Sequence, residues 1–166
     1  MSPSARRPEG GTGGTLAILA LTVATAAVGG LGSFRAVDFY VALALPSWAP
    51  PSTVFGPVWT ALYALMAIAA IMVWRARGRR GIRRALAMYG LQLVLNALWP
   101  WLFFAWRQGM WAFGEVVLLV AVVAITIGAF WRVRRMAAVL LLPYLAWVTF
   151  ASALTLAVWR LNPTRL

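Results

Sequence analysis

The chain has 166 residues, of which 63% are hydrophobic and 11% charged, with no cysteine, no histidine and a net charge of +12. Average globular chains are roughly 45–50% apolar and about 25% charged, so a water-soluble domain of this length could not hide so much apolar surface, and lipid is the expected solvent. Without cysteine or histidine there is no disulfide, no thiolate, no imidazole base and no sulfur-rich metal site, and three carboxylates, Glu9, Asp38 and Glu115, leave little for acid–base work.

Every basic residue is arginine. The arginines flank apolar runs, a placement that membrane topology explains, so no nucleic-acid partner is expected. Five runs are long enough to span a bilayer as helices: residues 15–34, 54–74, 85–106, 111–131 and 137–159. They lack a two-residue alternation, and a helix satisfies its own backbone in lipid. The expected fold is therefore all-α, an integral membrane bundle of five transmembrane helices.

A tail of residues 1–14, expected to be flexible, carries Arg6 and Arg7 ahead of the first run. Ala24-Thr25-Ala26 leaves a cleaved signal as an alternative, against which the apolar run continues past Ala26. Gly29, Gly30 and Gly32 would let this helix approach another backbone closely.

The first connector, residues 35–53, is the longest, and it contains LPSWAPP at 45–51. Three prolines fix φ and restrict their neighbours, so the connector is expected to be ordered, a preshaped lid over the outer end of the bundle. Trp48 offers a large flat surface with one donor and is a candidate ligand contact; the alternative is an interfacial anchor in an aromatic belt. Asp38 is placed to pair with Arg35.

The second run carries Phe55, Trp59, Tyr63 and Met66 at helical same-face spacing. Gln92, Asn96, Trp99 and Phe103 form such a stripe in the third run, and Tyr144, Trp147 and Ala151 in the fifth. Facing inward, the three stripes would make a mostly apolar pocket with a few fixed polar groups, the usual chemistry of a small-molecule site. Gln92 and Asn96 have two readings, interhelical hydrogen bonding or ligand contact. Trp74, Trp106, Trp111, Trp131 and Trp159 lie at run ends and read as belt residues; Trp59, Trp99 and Trp147 lie deeper. Glu115 opens the fourth run, where a carboxylate suits the positive end of a helix.

The remaining C-terminal tail is residues 163–166. Eleven of the fifteen arginines fall on the side of the N-terminus and of the second and fourth connectors; Arg35, Arg107, Arg160 and Arg165 fall on the other. The positive-inside rule then puts the N-terminus in the cytoplasm, and the first connector and the C-terminus outward. All-arginine usage suggests a bacterial cell membrane, with an outer membrane as the alternative.

The stripes and LPSWAPP together carry a resemblance. The segments LPSWAPPSTVFGPVWTALYALM (45–66), QLVLNALWPWLFF (92–104) and PYLAWVTFASALTLAVWRLN (143–162) resemble the translocator protein family, also called tryptophan-rich sensory proteins (TspO/MBR) or peripheral benzodiazepine receptors. Each motif alone is weak; their order and spacing together are specific. The resemblance implies a five-helix bundle, often a homodimer, that binds porphyrins, sterols and synthetic benzodiazepine-type ligands beneath the first connector. By position it implies that Tyr40, Pro50, Trp59, Tyr63, Asn96, Trp99, Trp147 and Ala151 line the pocket. Some bacterial relatives degrade protoporphyrin in light, and Trp59 and Trp147 match the tryptophans implicated there, so they are the catalytic candidates. Where many relatives place the tyrosine of a sterol motif, this chain has Leu156, which argues against sterol binding through that motif; Arg84, Tyr89 and Leu91 fit a reversed form of it.

The expected function is thus a multi-pass receptor or sensor for a porphyrin-type tetrapyrrole, with light-dependent porphyrin degradation or transport of an amphiphile as alternatives. No cofactor is expected to be required. Lacking histidine and cysteine, the chain suits a metal-free, protoporphyrin-like ligand better than an axially ligated haem.

Overall fold

The computed structural model describes residues 10–76, 78 and 80–166. Arg6, Arg7, Glu9, Arg77 and Arg79 lie outside the described residues. The described chain is all-α, without strands, and has five helices long and apolar enough to cross a membrane. Its elements are α1 (Gly10–Gly32), α2 (Ala36–Val41), α3 (Phe55–Arg75), α4 (Ile82–Pro100), α5 (Gly109–Val133), α6 (Arg135–Val139) and α7 (Leu142–Leu161). A short 3₁₀ turn, Ser52–Val54, leads into α3, and a π-helical turn, Trp101–Ala105, follows α4.

Several boundaries differ from the sequence reading, each for a local reason. The first helix begins at Gly10, so residues 10–14, expected in the tail, are helical. The first connector is not irregular throughout, since α2 lies within it. The third span widens after Pro100, whose ring supplies no N–H and crowds the preceding turn. There the Trp106 N–H donates to the Trp101 carbonyl at 2.7 Å, five residues back. The fifth span is broken into α6 and α7, with Pro143 in the first turn of α7, where a missing N–H costs nothing.

The helices close into a ring. α1 packs on α3 and α4, α5 packs on α4 and α7, and α7 returns to α3. Away from the first connector the bundle is solid: Met66, Ala69, Ala70, Val73, Ala85, Phe130 and Tyr144 are fully buried in one cluster. Small alanines on α3 let its neighbours come close, and Tyr89 and Phe130 fill the space with tilted rings 6.3 Å apart. Tyr89 also meets the buried Thr22 hydroxyl at 2.7 Å, joining α1 to α4.

Nearer the connector the packing is different. A second, smaller cluster gathers Leu43, Phe103, Ala112, Leu154 and Val158 around aromatic neighbours. Gly32 of α1 presses on Trp101, where an added Cβ would stand 2.9 Å from Cδ1 and 3.0 Å from the backbone N. The Trp101 indole N–H donates to the Val28 carbonyl at 3.0 Å, closing that contact. Gly30 has nothing within 4 Å of such a Cβ, so it faces open space rather than a close neighbour. Of the three glycines expected to permit close approach, Gly32 does so most tightly.

Candidate functional site

The open space beside Gly30 is a chamber of about 330 Å³ at the connector end of the bundle. The same-face spacing read from the sequence aims the side chains into it. Phe55, Trp59 and Tyr63 enter from α3, Asn96 and Trp99 from α4, and Trp147, Ala151 and Thr155 from α7. The π-helical turn rotates Phe103 and Phe104 onto the same wall, and Tyr40 of α2 roofs it. Among the tryptophans, Trp59, Trp99 and Trp147 line the chamber.

The rings form a connected lining. Trp147 lies 6.0 Å from Phe55 and 5.6 Å from Phe150. Trp59 lies 5.7 Å from Tyr63 and 6.3 Å from Tyr144. Trp99 stacks on Phe103 at 5.1 Å with planes 10° apart, so one of its faces is already covered. Such pairs are worth about 0.5–1.5 kcal/mol each beyond area burial, which holds the wall's shape without a ligand.

Asn96 is the polar centre of the bundle. Its Oδ1 accepts from the Tyr63 hydroxyl and its Nδ2 donates to the Tyr144 hydroxyl at 2.8 Å. One carboxamide thus joins α3, α4 and α7. The sequence left Asn96 open between interhelical bonding and ligand contact; it lines the chamber, and its two ends are engaged by the protein. Gln92 is fully buried but lies off the chamber, with Nε2 3.8 Å from the Met66 sulfur and Oε1 without a partner.

Above the chamber, the first connector is tied across itself and held at its middle by the C-terminal segment. The Tyr40 hydroxyl donates to the Pro50 carbonyl at 3.0 Å, and burial holds that phenol above its ordinary pKa, keeping it a donor. Asn162, at the end of α7, clamps Ala44 from both sides. Its Oδ1 accepts from the Ala44 N–H and its Nδ2 donates to the Ala44 carbonyl, each at 2.9 Å. The Arg165 guanidinium donates to the Ala42 carbonyl at 2.6 Å. LPSWAPP is therefore the distal limb of a lid whose inner limb is α2.

Two candidates fall elsewhere. Pro50 serves through its carbonyl, as the acceptor for Tyr40, and does not line the chamber. Trp48 is 49% exposed and packs edge-on against Phe150 at 5.8 Å, on the outer flank of α7. The prolines beside it turn the chain across the bundle end, which leaves this side chain outside. Asp38 and Arg35 border one surface cleft without forming an ion pair. Glu115 does not open a helix: α5 begins at Gly109, so the carboxyl lies beyond the first turn, where the helix dipole no longer acts on it. It is buried, and neither oxygen has a hydrogen-bond partner.

The belt tryptophans divide similarly. Trp106, Trp111 and Trp131 are exposed, while Trp74 rests on α1 beside Gly14 and Trp159 covers Gly109. Sequence reasoning missed Ser52, Phe104 and Thr155 on the chamber wall. Thr155 was accessible, being one turn beyond Ala151 on a stripe already read. Phe104 was not, because the π-helical turn shifts the register after Pro100.

The lining is mostly aromatic and apolar, with Tyr63, Asn96, Ser52 and Thr155 among its polar groups. Comparison with known proteins agrees with the motif pattern. The family model described as "TspO/MBR family" matches residues 17–160. The translocator protein of Sus scrofa is 41% identical over 133 residues, 79% of each chain. That of Homo sapiens is 41% identical over 130 residues, 77% of each chain. A tryptophan-rich sensory protein of Cereibacter sphaeroides is 39% identical over 128 residues, 77% of this chain and 79% of its own. With five spanning helices and this match over most of its length, the chain is an integral multi-pass membrane protein belonging to the TspO/MBR family.

Proposed function

We propose that the chamber is a receptor site for a flat, largely apolar ligand of porphyrin type, and that the protein senses this ligand. The observation that carries the reading is a chamber of about 330 Å³ lined by Trp59, Trp99 and Trp147 under a fastened lid. Aromatic walls with few free polar atoms favour an extended π-system over a polar metabolite. The volume is near the lower end of the roughly 300–1,000 Å³ typical of ligand pockets. The chamber is also open at one edge: Gly30, Val37 and Gly56 line it and are exposed, and neither glycine has a neighbour where a Cβ would stand. A macrocycle would seat one side between the tryptophans and leave its opposite edge at this gap. The name of the Cereibacter sphaeroides relative, a tryptophan-rich sensory protein, is in keeping with sensing.

Titrating the purified protein with protoporphyrin should quench tryptophan emission saturably. Replacing Trp59 and Trp147 together by Leu should weaken binding by about tenfold or more, since two ring contacts are lost. The variant's thermal unfolding must stay cooperative for the comparison to count. Equal affinity for protoporphyrin in the wild type and the double variant would refute this placement.

A further inference from the structure

The helix α2 is a wall between two spaces. Ala36, Val37 and Tyr40 face the chamber, while Arg35, Asp38, Phe39 and Ala42 border an open surface cleft of about 430 Å³. Arg107, from the turn after α4, and Arg165, from the C-terminal segment, complete the rim. Phe39 separates the two spaces, its ring edge-on to Phe103 and Phe104 at 6.5 Å each.

The side of the bundle that bears the first connector carries few arginines, namely Arg35, Arg107, Arg160 and Arg165. Three of these four meet in the one cleft, from segments far apart in sequence. Interfacial anchoring alone would not gather them, because each gains by facing headgroups separately. Together with Asp38 they leave a strongly positive hollow, which focuses its field on an incoming anion.

Two of the guanidiniums are held in place by the protein. Arg107 has φ 55°, the one positive value at a non-glycine residue among the described residues, and its guanidinium sits 5.0 Å over the Phe39 ring. Arg165 is fixed by its bond to the Ala42 carbonyl and keeps most of its donors unspent. Among the described residues no side-chain hydrogen bond or ion pair engages Arg35 or Asp38. Planar guanidinium forks match the oxygens of phosphate, and positions fixed in advance lower the entropy cost of binding.

We propose that this cleft is an oxyanion site that takes a phosphate group, held by Arg35, Arg107 and Arg165. Bound there, one phosphate joins α2, the turn after α4 and the C-terminal segment that is bonded to the connector at Ala42. Arg35 follows the end of α1 by three residues, so the cleft stands at the level of lipid headgroups. The same chemistry is offered by a phospholipid phosphate or by dissolved phosphate.

The test uses the full chain in phospholipid-free maltoside detergent, followed by thermal unfolding at constant ionic strength. Inorganic phosphate is titrated in one arm, and short-chain phosphatidic acid in the other. A saturable rise in Tm is expected, shifted to about tenfold higher concentration in Arg107→Gln and Arg35→Gln and unchanged in Arg160→Gln. A response to inorganic phosphate assigns a dissolved anion; a response to the lipid alone assigns a headgroup. Arg35 has no side-chain partner to lose, so its variant keeps the test decisive if Arg107→Gln folds poorly. No rise in either arm, or the same titration in Arg35→Gln as in the wild type, overturns the proposal.

Discussion

Asn96 shows how much one side chain can organise when lipid surrounds the fold. Its Oδ1 and Nδ2 are both spent inside the bundle, on Tyr63 and Tyr144. Interhelical bonds of this kind average only ~0.6 kcal/mol in a membrane protein, because the unfolded chain in lipid also finds partners. An orphaned buried group costs more, about 1–3 kcal/mol. Tyr63→Phe removes the donor to Oδ1 and should lower stability by about 1 kcal/mol, nearer the bottom of that range. Asn96→Leu removes both ends at once. If the residues act as one unit, the double variant is less destabilised than the sum of the singles, by about 0.5 kcal/mol or more. Unfolding the four proteins in detergent measures this, and strict additivity would mean that Tyr63 and Asn96 are not bonded.

Among the elements, the lid depends on contacts that no local rule supplies. The short α2 and the proline limb have little core of their own, and their position is set by Asn162, which spans 118 residues to Ala44. Asn162→Ala would leave the Ala44 N–H and carbonyl without their partner, at a cost of about 1–2 kcal/mol. The expected result is faster amide exchange at residues 42–45 and weaker retention of any chamber ligand, with the helices below unchanged. Unaltered exchange at Ala44 would show that the lid is held by other means. This dependence also marks where sequence stops being informative. The five spans and their inward faces follow from apolar length and a three-to-four-residue period, both local properties. Trp48, α2 and the shifted register after Pro100 depend on what the rest of the chain does. Trp48 was a fair candidate as a flat ring on a stiff loop, yet the loop leaves from a connector held at Ala42 and Ala44 by Arg165 and Asn162, contacts more than a hundred residues away that no local pattern reveals. Glu115 was misplaced because α5 starts at Gly109, six residues earlier, in a turn shaped by Arg107.

The whole molecule is a bundle packed tightly at one end and hollow at the other. At the solid end Met66, Ala70, Val73 and Phe130 are fully buried, whereas the connector end keeps its chamber beneath a lid with few buried residues. Free energy of local opening should therefore be graded along the bundle axis, lowest at α2 and highest near Val73 and Ala85. A ligand that fills the chamber stabilises only conformations that retain it, so its effect belongs to openings that release it. At a hundredfold excess over Kd the gain is about 2.7 kcal/mol, or roughly hundredfold slower exchange for the amides concerned. Saturating protoporphyrin should slow exchange in α2 and the first turns of α3, and leave the amides around Val73 and Ala85 unchanged, because their opening is already limited by global unfolding or is independent of the chamber. Hydrogen exchange read by mass spectrometry distinguishes this from a ligand lodged on the lipid-facing surface, which would protect exposed helix faces instead. Protection spread evenly along all five spans, with none concentrated at α2, would place the ligand outside the chamber and remove the lid from its retention.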